Sequence, residues 1–231
     1  MDKRNHIVVA IDGPAGAGKS TVAKLVARRL SLLYIDSGAM YRAVAWKALT
    51  TKTDISDARI VAELARQMKI ELAPADRGAR VFADGKEITH LIREPEVTEA
   101  SSRIATIGAV REVLVRQQQE MGRTRGVAME GRDIGTVVFP DTPFKFYLDA
   151  SSRERARRRK NDLERAGHNV ELEDLEREVV ARDRRDMTRA VGPLRKVEDA
   201  LVIDTTAMSI EQVVEVIVEH VHTIRKEAMK E

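Results

Sequence analysis

Near its start the chain reads Gly13-Pro14-Ala15-Gly16-Ala17-Gly18-Lys19-Ser20. This run matches the phosphate-binding pattern G-x-x-x-x-G-K-[ST], and its surroundings also fit, because an apolar strand-like run (Ile7–Ile11) precedes it and a helical pattern begins at Lys19. Glycines allow successive backbone N–H groups to converge on an anion, and the helix that follows adds the partial positive charge of its N-terminus. The stretch predicts a nucleoside triphosphate site in a P-loop fold.

Two side chains of this loop have individual roles in the prediction. We expect Lys19 to reach the β- and γ-phosphates and the Ser20 hydroxyl to bind a Mg²⁺ ion that arrives with ATP. The predicted ATP-binding residues are Gly13, Pro14, Ala15, Gly16, Ala17, Gly18, Lys19, Ser20 and Thr21.

The composition excludes several classes of protein. The 231 residues are 43% hydrophobic and 33% charged, which indicates a single globular domain. The sequence contains no cysteine, so disulfides, thiolate catalysis and cysteine-bound zinc are excluded. The apolar run near the N-terminus has only about five residues, too few for a signal peptide or a membrane span. We therefore expect a cytoplasmic protein that does not bind a membrane.

The charges are nearly balanced, but the arginines are clustered. The net charge of +3, from 40 basic and 37 acidic residues, argues against a dedicated nucleic-acid-binding protein. Arginines concentrate in residues 153–160 and 182–195. Guanidinium groups match phosphate oxygens in pairs, so these clusters indicate small anionic ligands. Taken alone, the first cluster is more typical of a solvated helix face with i,i+4 pairs to Glu154 and Glu164.

Short apolar runs alternate with longer helical patterns, which predicts a parallel sheet covered by helices. The predicted core strands are His6–Ile11, Leu32–Ile35, Val127–Met129, Phe144–Leu148 and Leu201–Ile203. The predicted helices are Lys19–Leu30, Ala39–Thr50, Asp57–Met68, Val97–Ala105, Ala109–Met121, Ser152–Ala166, Leu172–Met187 and Ser209–Lys226. Residues 69–94 break the alternation and predict an antiparallel insert that faces the substrate.

Two other classes of protein share the phosphate loop. A GTPase needs a guanine-reading [NT]KxD motif, and Thr51-Lys52-Thr53-Asp54 matches it literally, but this run closes a predicted helix too soon after the loop, and the chain has no D-x-x-G. A nucleic-acid-dependent ATPase needs further motor motifs or an aromatic platform, and aromatic residues make up only 3% of the chain. A small-molecule kinase remains.

Further motifs, and their order along the chain, resemble those of bacterial cytidylate kinases. They are Asp36-Ser37-Gly38-Ala39-Met40-Tyr41-Arg42, Glu130-Gly131-Arg132-Asp133-Ile134-Gly135-Thr136-Val137-Val138-Phe139-Pro140, Leu148-Asp149-Ala150-Ser151-Ser152 and Arg182-Asp183-Arg184-Arg185-Asp186-Met187-Thr188-Arg189-Ala190. The resemblance runs from Ile7 to about Val221 and includes the insert. It implies a nucleoside monophosphate kinase of pyrimidine metabolism, which transfers the γ-phosphate of ATP to CMP or dCMP.

The resemblance also implies the architecture. We expect an α/β fold with a P-loop NTPase-type parallel five-stranded sheet flanked by helices, an inserted monophosphate-binding subdomain and a helical lid. The single kinase domain, 1–231, would comprise a core (1–36, 122–152 and 190–231), a CMP-binding subdomain of about 37–121 and a lid of about 153–189. The expected partners are ATP and CMP or dCMP, without nucleic acid, and the expected state is a monomer.

Finally, the resemblance implies an acceptor site. The predicted CMP-binding residues are Ser37, Arg42, Ser102, Arg111, Arg132, Asp133, Arg182, Asp186 and Arg189. Cytosine would face Ser102, Arg111 and Asp133. The CMP phosphate would meet Arg42, Arg132 and Arg189. The ribose or its neighbourhood would meet Ser37, Arg182 and Asp186. The predicted catalytic residues are Lys19, Arg132, Arg182 and Arg189.

The role of Asp133 makes chemical sense. Cytosine carries an amino donor at N4 where uracil carries an acceptor, and a carboxylate accepts from an amine. From the residues alone, Asp133 also fits a structural role, capping the loop after the strand. The alternative functions are a UMP or AMP kinase on the same scaffold and an ATP-dependent nucleic-acid-binding protein.

Overall fold

A computed structural model describes residues 7–75, 78–165 and 167–229. The strands are β1 (Val8–Asp12), β2 (Leu33–Asp36), β3 (Ile70–Ala75), β4 (Gly78–Ala83), β5 (Lys86–Glu87), β6 (Val127–Gly131), β7 (Phe144–Asp149) and β8 (Leu201–Asp204). The helices are α1 (Lys19–Arg29), α2 (Ser37–Thr50), α3 (Ala58–Gln67), α4 (Pro95–Ile104), α5 (Gly108–Thr124), α6 (Ser152–Arg165), α7 (Leu172–Thr188) and α8 (Ile210–Ala228). A 3₁₀ turn (Leu91–Arg93) and a π-helical turn (Ile134–Val138) complete the set.

The central sheet confirms the predicted α/β fold. It is parallel, has five strands and runs in the order β2-β6-β1-β7-β8. Each predicted core strand lies in this sheet, and His6, the first residue of the first one, falls outside the described residues. The middle strand, β1, is an apolar run buried on both faces, as parallel strands covered by helices must be.

The register brings the ends of three strands level with one another. Asp12 pairs with Gly131 across β1 and β6, and Asp36 pairs with Glu130 across β2 and β6. Ligands of open parallel sheets bind outside the carboxyl ends of the strands. The acidic residues at the ends of β1, β2 and β6 therefore lie side by side where a ligand is expected.

Helices α1 and α8 cover one face of the sheet, where Val22 and Val26 pack in the same cluster as Val214 and Ile217. The start of α8 at Ser209 was predicted from sequence and is confirmed by a capping box. The Ser209 Oγ accepts the Gln212 N–H at 3.2 Å, and the Gln212 Oε1 accepts the Ser209 N–H at 2.8 Å.

The antiparallel insert is also present, as a three-stranded sheet in the order β3-β4-β5. The expectation that it faces the substrate is not met, because none of its described residues lines either of the two cavities at the phosphate loop. It packs with α2 to α5 around a separate apolar cluster that includes Val44, Ile104 and Leu114. The division of the chain into core, subdomain and lid stays a prediction.

Some local details differ from the sequence prediction. Helix α2 begins at Ser37 and not at Ala39, because the Asp36 Oδ1 caps it by accepting the N–H of Ala39 at 2.9 Å. The prediction also contained no counterpart of the π-helical turn. None of the helices that the structure describes combines the length and apolar character needed to cross a bilayer.

Candidate active site

A cavity of about 820 Å³, called the larger cavity below, opens beside the glycine-rich loop. Its walls are the loop with the start of α1, one side of α6, and residues 205–210. Of the predicted ATP-binding residues, Ala15 to Thr21 line it, whereas Gly13 and Pro14 do not. Gly13 lies against β7, with φ +147° and no room for a side chain, since a Cβ atom would come within 2.0 Å of the Leu148 carbonyl oxygen.

A second cavity of about 230 Å³, the smaller cavity, shares the side chains of Lys19 and Arg182 with the larger one, together with the loop residues Ala15, Gly16 and Ser20. It is lined by every predicted CMP-binding residue: Ser37, Arg42, Ser102, Arg111, Arg132, Asp133, Arg182, Asp186 and Arg189. These residues come from α2, α4, α5, the end of β6 and the end of α7. Residues far apart in the sequence therefore converge on one space beside the phosphate loop.

Lys19 lies where the two cavities meet. Its side chain is buried, and its Nζ donates to the Pro14 carbonyl oxygen at 2.7 Å. Burial and then the positive charge of Arg132 lower the pKa of Lys19 to about 7. An anion placed beside this nitrogen would favour its charged form again.

Asp133 is held between two arginines in the wall of the smaller cavity. The Arg111 Nη2 donates to the Asp133 Oδ2, and the Arg189 Nη2 lies 3.5 Å from the Asp133 Oδ1. The Arg111 guanidinium also lies over the Tyr41 ring, 5.5 Å from its centroid. The Asp133 side chain makes no capping hydrogen bond to the turn that follows it, so the alternative capping role is wrong.

The smaller cavity concentrates positive charge. Burial and then the charge of Arg132 lower the pKa of Arg182 to about 10. Several buried guanidinium nitrogens here have no hydrogen-bond acceptor among the residues that the structure describes, namely Nε of Arg42, Arg111 and Arg182. The Nη2 of Arg189 also makes no hydrogen bond, since its 3.5 Å contact with Asp133 is an ion pair only. An unmet buried donor costs roughly 1–3 kcal/mol. A ligand rich in acceptor oxygens, such as a phosphate ester, fits these donors.

Two acidic residues of the site, Asp36 and Glu130, were not predicted from the sequence. They pair with each other near the ends of neighbouring strands, and both line the smaller cavity. The Tyr34 hydroxyl donates to the Glu130 Oε1 at 3.0 Å, and burial together with the nearby Asp36 raises the pKa of Glu130. An acidic residue at the end of an apolar strand was the signal in the sequence that could have identified them.

The expectation that residues 153–160 form a solvated helix face is wrong for Arg155, which is buried. Its Nε donates to the Ala150 carbonyl oxygen at 2.8 Å, its Nη1 donates to the Ala15 carbonyl oxygen at 3.1 Å, and its Nη2 lies 2.6 Å from Asp183. The neighbouring Arg157 is exposed and pairs with Glu154 at i,i+3, and the predicted i,i+4 pairs are made by Arg158 with Glu154 and by Lys160 with Glu164. Nothing in the sequence distinguishes these two arginines, because tertiary contacts decide which one is buried.

The comparisons with known proteins agree with this geometry. A family model described as cytidylate kinase matches residues 9–223. The chain belongs to the cytidylate kinase family. A cytidylate kinase of Geobacillus sp. (strain WCH70) is 48% identical over 219 residues, which cover 95% of this chain and 98% of that protein. One of Desulforamulus reducens is 51% identical over 213 residues, which cover 92% and 96%.

A solved structure supports the fold alone. The crystal structure of an uncharacterized protein from Eubacterium ventriosum ATCC 27560 has a TM-score of 0.52 at 10% identity, covering 94% of this chain and 99% of that one. Membership of the cytidylate kinase family makes the chain an ATP-dependent kinase, so the resemblance found in the sequence is confirmed and the nucleic-acid-binding alternative is not favoured. The roles of individual residues stay predictions.

Proposed function

We propose that this protein transfers the γ-phosphate of ATP to CMP or dCMP, giving ADP and CDP or dCDP. The observation that carries the proposal is the junction of two cavities at Lys19 and Arg182. Phosphoryl transfer requires donor and acceptor to be held in line, with positive charge where they meet. The proposal places the reaction in pyrimidine nucleotide metabolism of the cytoplasm, carried out by a monomer without nucleic acid or a membrane.

In this proposal ATP occupies the larger cavity, with its γ-phosphate directed towards Lys19. The volume of about 820 Å³ lies in the range that accommodates a small-molecule ligand. Arg155 and Arg158 donate to the carbonyl oxygens of Ala15 and Gly16 at 3.1 Å and 3.4 Å. Because these contacts use the carbonyl side of the loop, its N–H groups are left for the phosphates.

CMP occupies the smaller cavity, with its base beside Asp133. Because Arg111 and Arg189 orient this carboxylate, it can accept from the N4 amine of cytosine and would repel the O4 of uracil. A site that uses a buried polar group in this way discriminates more strongly than an apolar pocket. The CMP phosphate would meet Arg42, Arg132 and Arg189, and the sugar would lie near Ser37, Arg182 and Asp186.

The transfer step needs positive charge more than it needs a base. The second pKa of a phosphate ester is near 6, so the CMP phosphate is already mostly dianionic at neutral pH. The transition state is loose and spreads negative charge over its equatorial oxygens. The proposed catalytic residues, Lys19, Arg132, Arg182 and Arg189, would stabilise that charge from fixed positions in a buried site.

Ser20 and Glu130 fit a Mg²⁺ ion that enters with ATP. Magnesium retains several waters and is held by one or two protein oxygens together with substrate phosphates, and both residues line the smaller cavity next to the loop. Among the described residues there is no cluster of acidic, histidine or cysteine side chains that would hold a metal ion by itself. When bound, the ion would neutralise charge on the β- and γ-phosphates.

An assay with ATP and each of CMP, dCMP, UMP and AMP, with and without added RNA, tests the proposal. We expect CMP and dCMP to be phosphorylated far faster than UMP and AMP, without any effect of RNA, and EDTA to abolish the activity. Comparable rates with UMP or AMP would contradict the base assignment. ATP hydrolysis that depends on RNA, without phosphorylation of any monophosphate, would contradict the whole proposal.

A further inference from the structure

The π-helical turn after β6 is anchored by an aspartate from another strand. Asp12, the last residue of β1, accepts the Ile134 N–H through Oδ1 at 2.9 Å and the Gly135 N–H through Oδ2 at 2.8 Å. Its side chain is buried and lines neither cavity. Asp12 is therefore a buried carboxylate next to the phosphate loop that none of the proposed binding roles uses.

The residue that caps the turn is Asp12, from a different strand, and not Asp133, which directly precedes the turn. The first N–H groups of any helical turn lack partners within the turn, and an aspartate directly before the turn is well suited to accept from them. Asp133 occupies that position, yet its side chain makes no such bond and faces Arg111 and Arg189. The N–H groups of Ile134 and Gly135 are already bound to Asp12.

We propose that Asp12 is a positioning residue for base recognition, because it caps the turn in place of Asp133 and leaves the Asp133 carboxylate directed at Arg111 and the acceptor base. The inference rests on the proposed function, since it assumes that Asp133 reads the cytosine. It divides two tasks between two aspartates: Asp12 holds the backbone of the turn, and Asp133 meets the ligand.

A carboxylate suits this position better than its neutral analogue. Both oxygens of Asp12 accept from backbone N–H groups, whereas an asparagine has only one oxygen and would direct its NH₂ group at the other N–H. Burial raises the pKa of Asp12 to about 6, so the group is still mostly ionised at neutral pH. A buried charge is retained only where it is compensated, and here two backbone donors compensate it.

Kinetics of Asp12→Asn and Asp12→Ala test the role. Either substitution should displace the turn or allow Asp133 to cap it. We therefore expect the KM for CMP to rise and the CMP-over-UMP ratio of kcat/KM to fall by about tenfold or more. The KM for ATP should change less than about twofold, because neither Asp133 nor the turn that Asp12 caps lines the larger cavity. Equal losses for CMP and UMP, with the ratio unchanged, would overturn the proposal.

Asp149→Asn is the matched control. Asp149 ends β7 as Asp12 ends β1, but its Oδ1 accepts the Ala150 N–H at 3.0 Å and its Oδ2 accepts the Lys196 Nζ at 2.8 Å. It holds no part of the turn, so its variant should keep the wild-type ratio. A fall in the ratio as large as that of Asp12→Asn would show a general effect of strand-end carboxylates and would overturn the specific role.

A double variant separates positioning from general damage to the fold. If Asp12 acts through Asp133, adding Asp12→Asn to Asp133→Asn should lower the ratio no further. Independent, multiplicative losses would contradict the proposal.

Hydrogen exchange in the wild-type protein decides the case if neither Asp12 variant folds. We expect slow exchange at the Ile134 and Gly135 amides, although they precede the backbone hydrogen bonds of the turn. A wild type that does not prefer CMP to UMP would signal failure of the proposed function itself. If the wild type prefers CMP normally but its Ile134 and Gly135 amides exchange fast, only the role of Asp12 is overturned. The same conclusion follows if the Asp12 variants fold and keep the wild-type CMP-over-UMP ratio of kcat/KM.

Discussion

Arg132 and Asp186 form a partly buried ion pair between two segments of the smaller cavity, with 2.8 Å between the Arg132 Nε and the Asp186 Oδ2. Arg132 follows β6, and Asp186 lies on α7. Burial by itself would raise the pKa of Asp186, but Arg132, assisted by Arg182 and Arg189, holds that pKa below its ordinary value. The carboxylate thus offsets part of the positive charge that the arginines bring together.

Asp186→Asn should destabilise the ligand-free protein, because the arginines then repel one another without compensation. Removal of one partner of a fully buried pair typically lowers the free energy of unfolding by about 3 kcal/mol, and we expect a smaller loss here because the pair is partly exposed. Inorganic phosphate can take the place of the carboxylate, so it should raise the Tm of the variant more than that of the wild type. Thermal unfolding of both proteins in chloride and in phosphate measures this.

The exposed pair of Lys47 and Asp84, 2.8 Å apart, supplies the control for this experiment. Exposed pairs contribute only about 0–1 kcal/mol, so Asp84→Asn should change the stability little and should add no response to phosphate. Equal stabilisation of wild type and Asp186→Asn by phosphate would show that the arginines do not form an anion site.

Lys19→Ala should keep the fold and lower kcat by about two to three orders of magnitude, because the transition state loses the protein cation that lies between the two cavities. Steady-state kinetics with CMP measures the change in kcat, and a circular dichroism spectrum verifies that the variant is folded. Arg28→Ala is the control, since Arg28 lies exposed near the end of the same helix. Near wild-type turnover of Lys19→Ala would contradict the assigned donor site.

ATP binding should take up protons above neutral pH. The pKa of Lys19 is lowered to about 7, so at pH 8 most free molecules carry a neutral amine, and a triphosphate beside it restores the charged form. Calorimetry in buffers of different ionisation enthalpy should give an uptake of about one proton per site at pH 8, and much less at pH 6, where Lys19 is already charged. In Lys19→Arg, whose guanidinium stays protonated, the uptake at pH 8 should disappear. The same uptake in both proteins would assign the proton to another group.

The sequence predicted the central sheet well for a physical reason. Each core strand is a short apolar run, and the helices show a helical period, with a capping box at Ser209 and Gln212 that marks the start of α8, so local patterns agree with the tertiary structure. The family motifs likewise identified residues that the structure brings into one cavity, from Ser37 to Arg189.

The π-helical turn and the burial of Arg155 could not be predicted in this way. The turn contains Ile134, Val137 and Val138, residues typical of strands, and the acceptor for its first N–H groups is Asp12, 122 residues earlier in the chain. Arg155 belongs to a run of arginines that all look solvated, until contacts with the phosphate loop and α7 select one of them. Both features depend on side chains that meet only after the strands have assembled.

Limited proteolysis should detect the predicted lid, residues 153–189. Arg165 and Arg177 are strongly exposed on α6 and α7, so trypsin should cut there early in the free protein. Arg182 and Asp186 of α7 line the smaller cavity, so ATP together with CMP should tie the segment down and slow this cleavage. Cleavage at the exposed Arg225 on α8 should proceed at the same rate in both conditions. Equal cleavage of α6 and α7 with and without the nucleotides would contradict the lid, but would leave the kinase activity untouched.

Asp133→Asn should reduce the discrimination between CMP and UMP. The amide can turn its NH₂ towards the O4 of uracil, so UMP loses the repulsion that a carboxylate exerts. Activity on CMP should fall at the same time, because a charge-assisted hydrogen bond becomes a neutral one, worth on the order of 1–3 kcal/mol. Arg111→Ala should weaken the same selectivity, since Arg111 donates to the Asp133 Oδ2 and orients it. The measurement is the CMP-over-UMP ratio of kcat/KM in the wild type and both variants. If Asp133→Asn lowers kcat/KM for both substrates by the same factor, Asp133 is structural and another residue reads the cytosine.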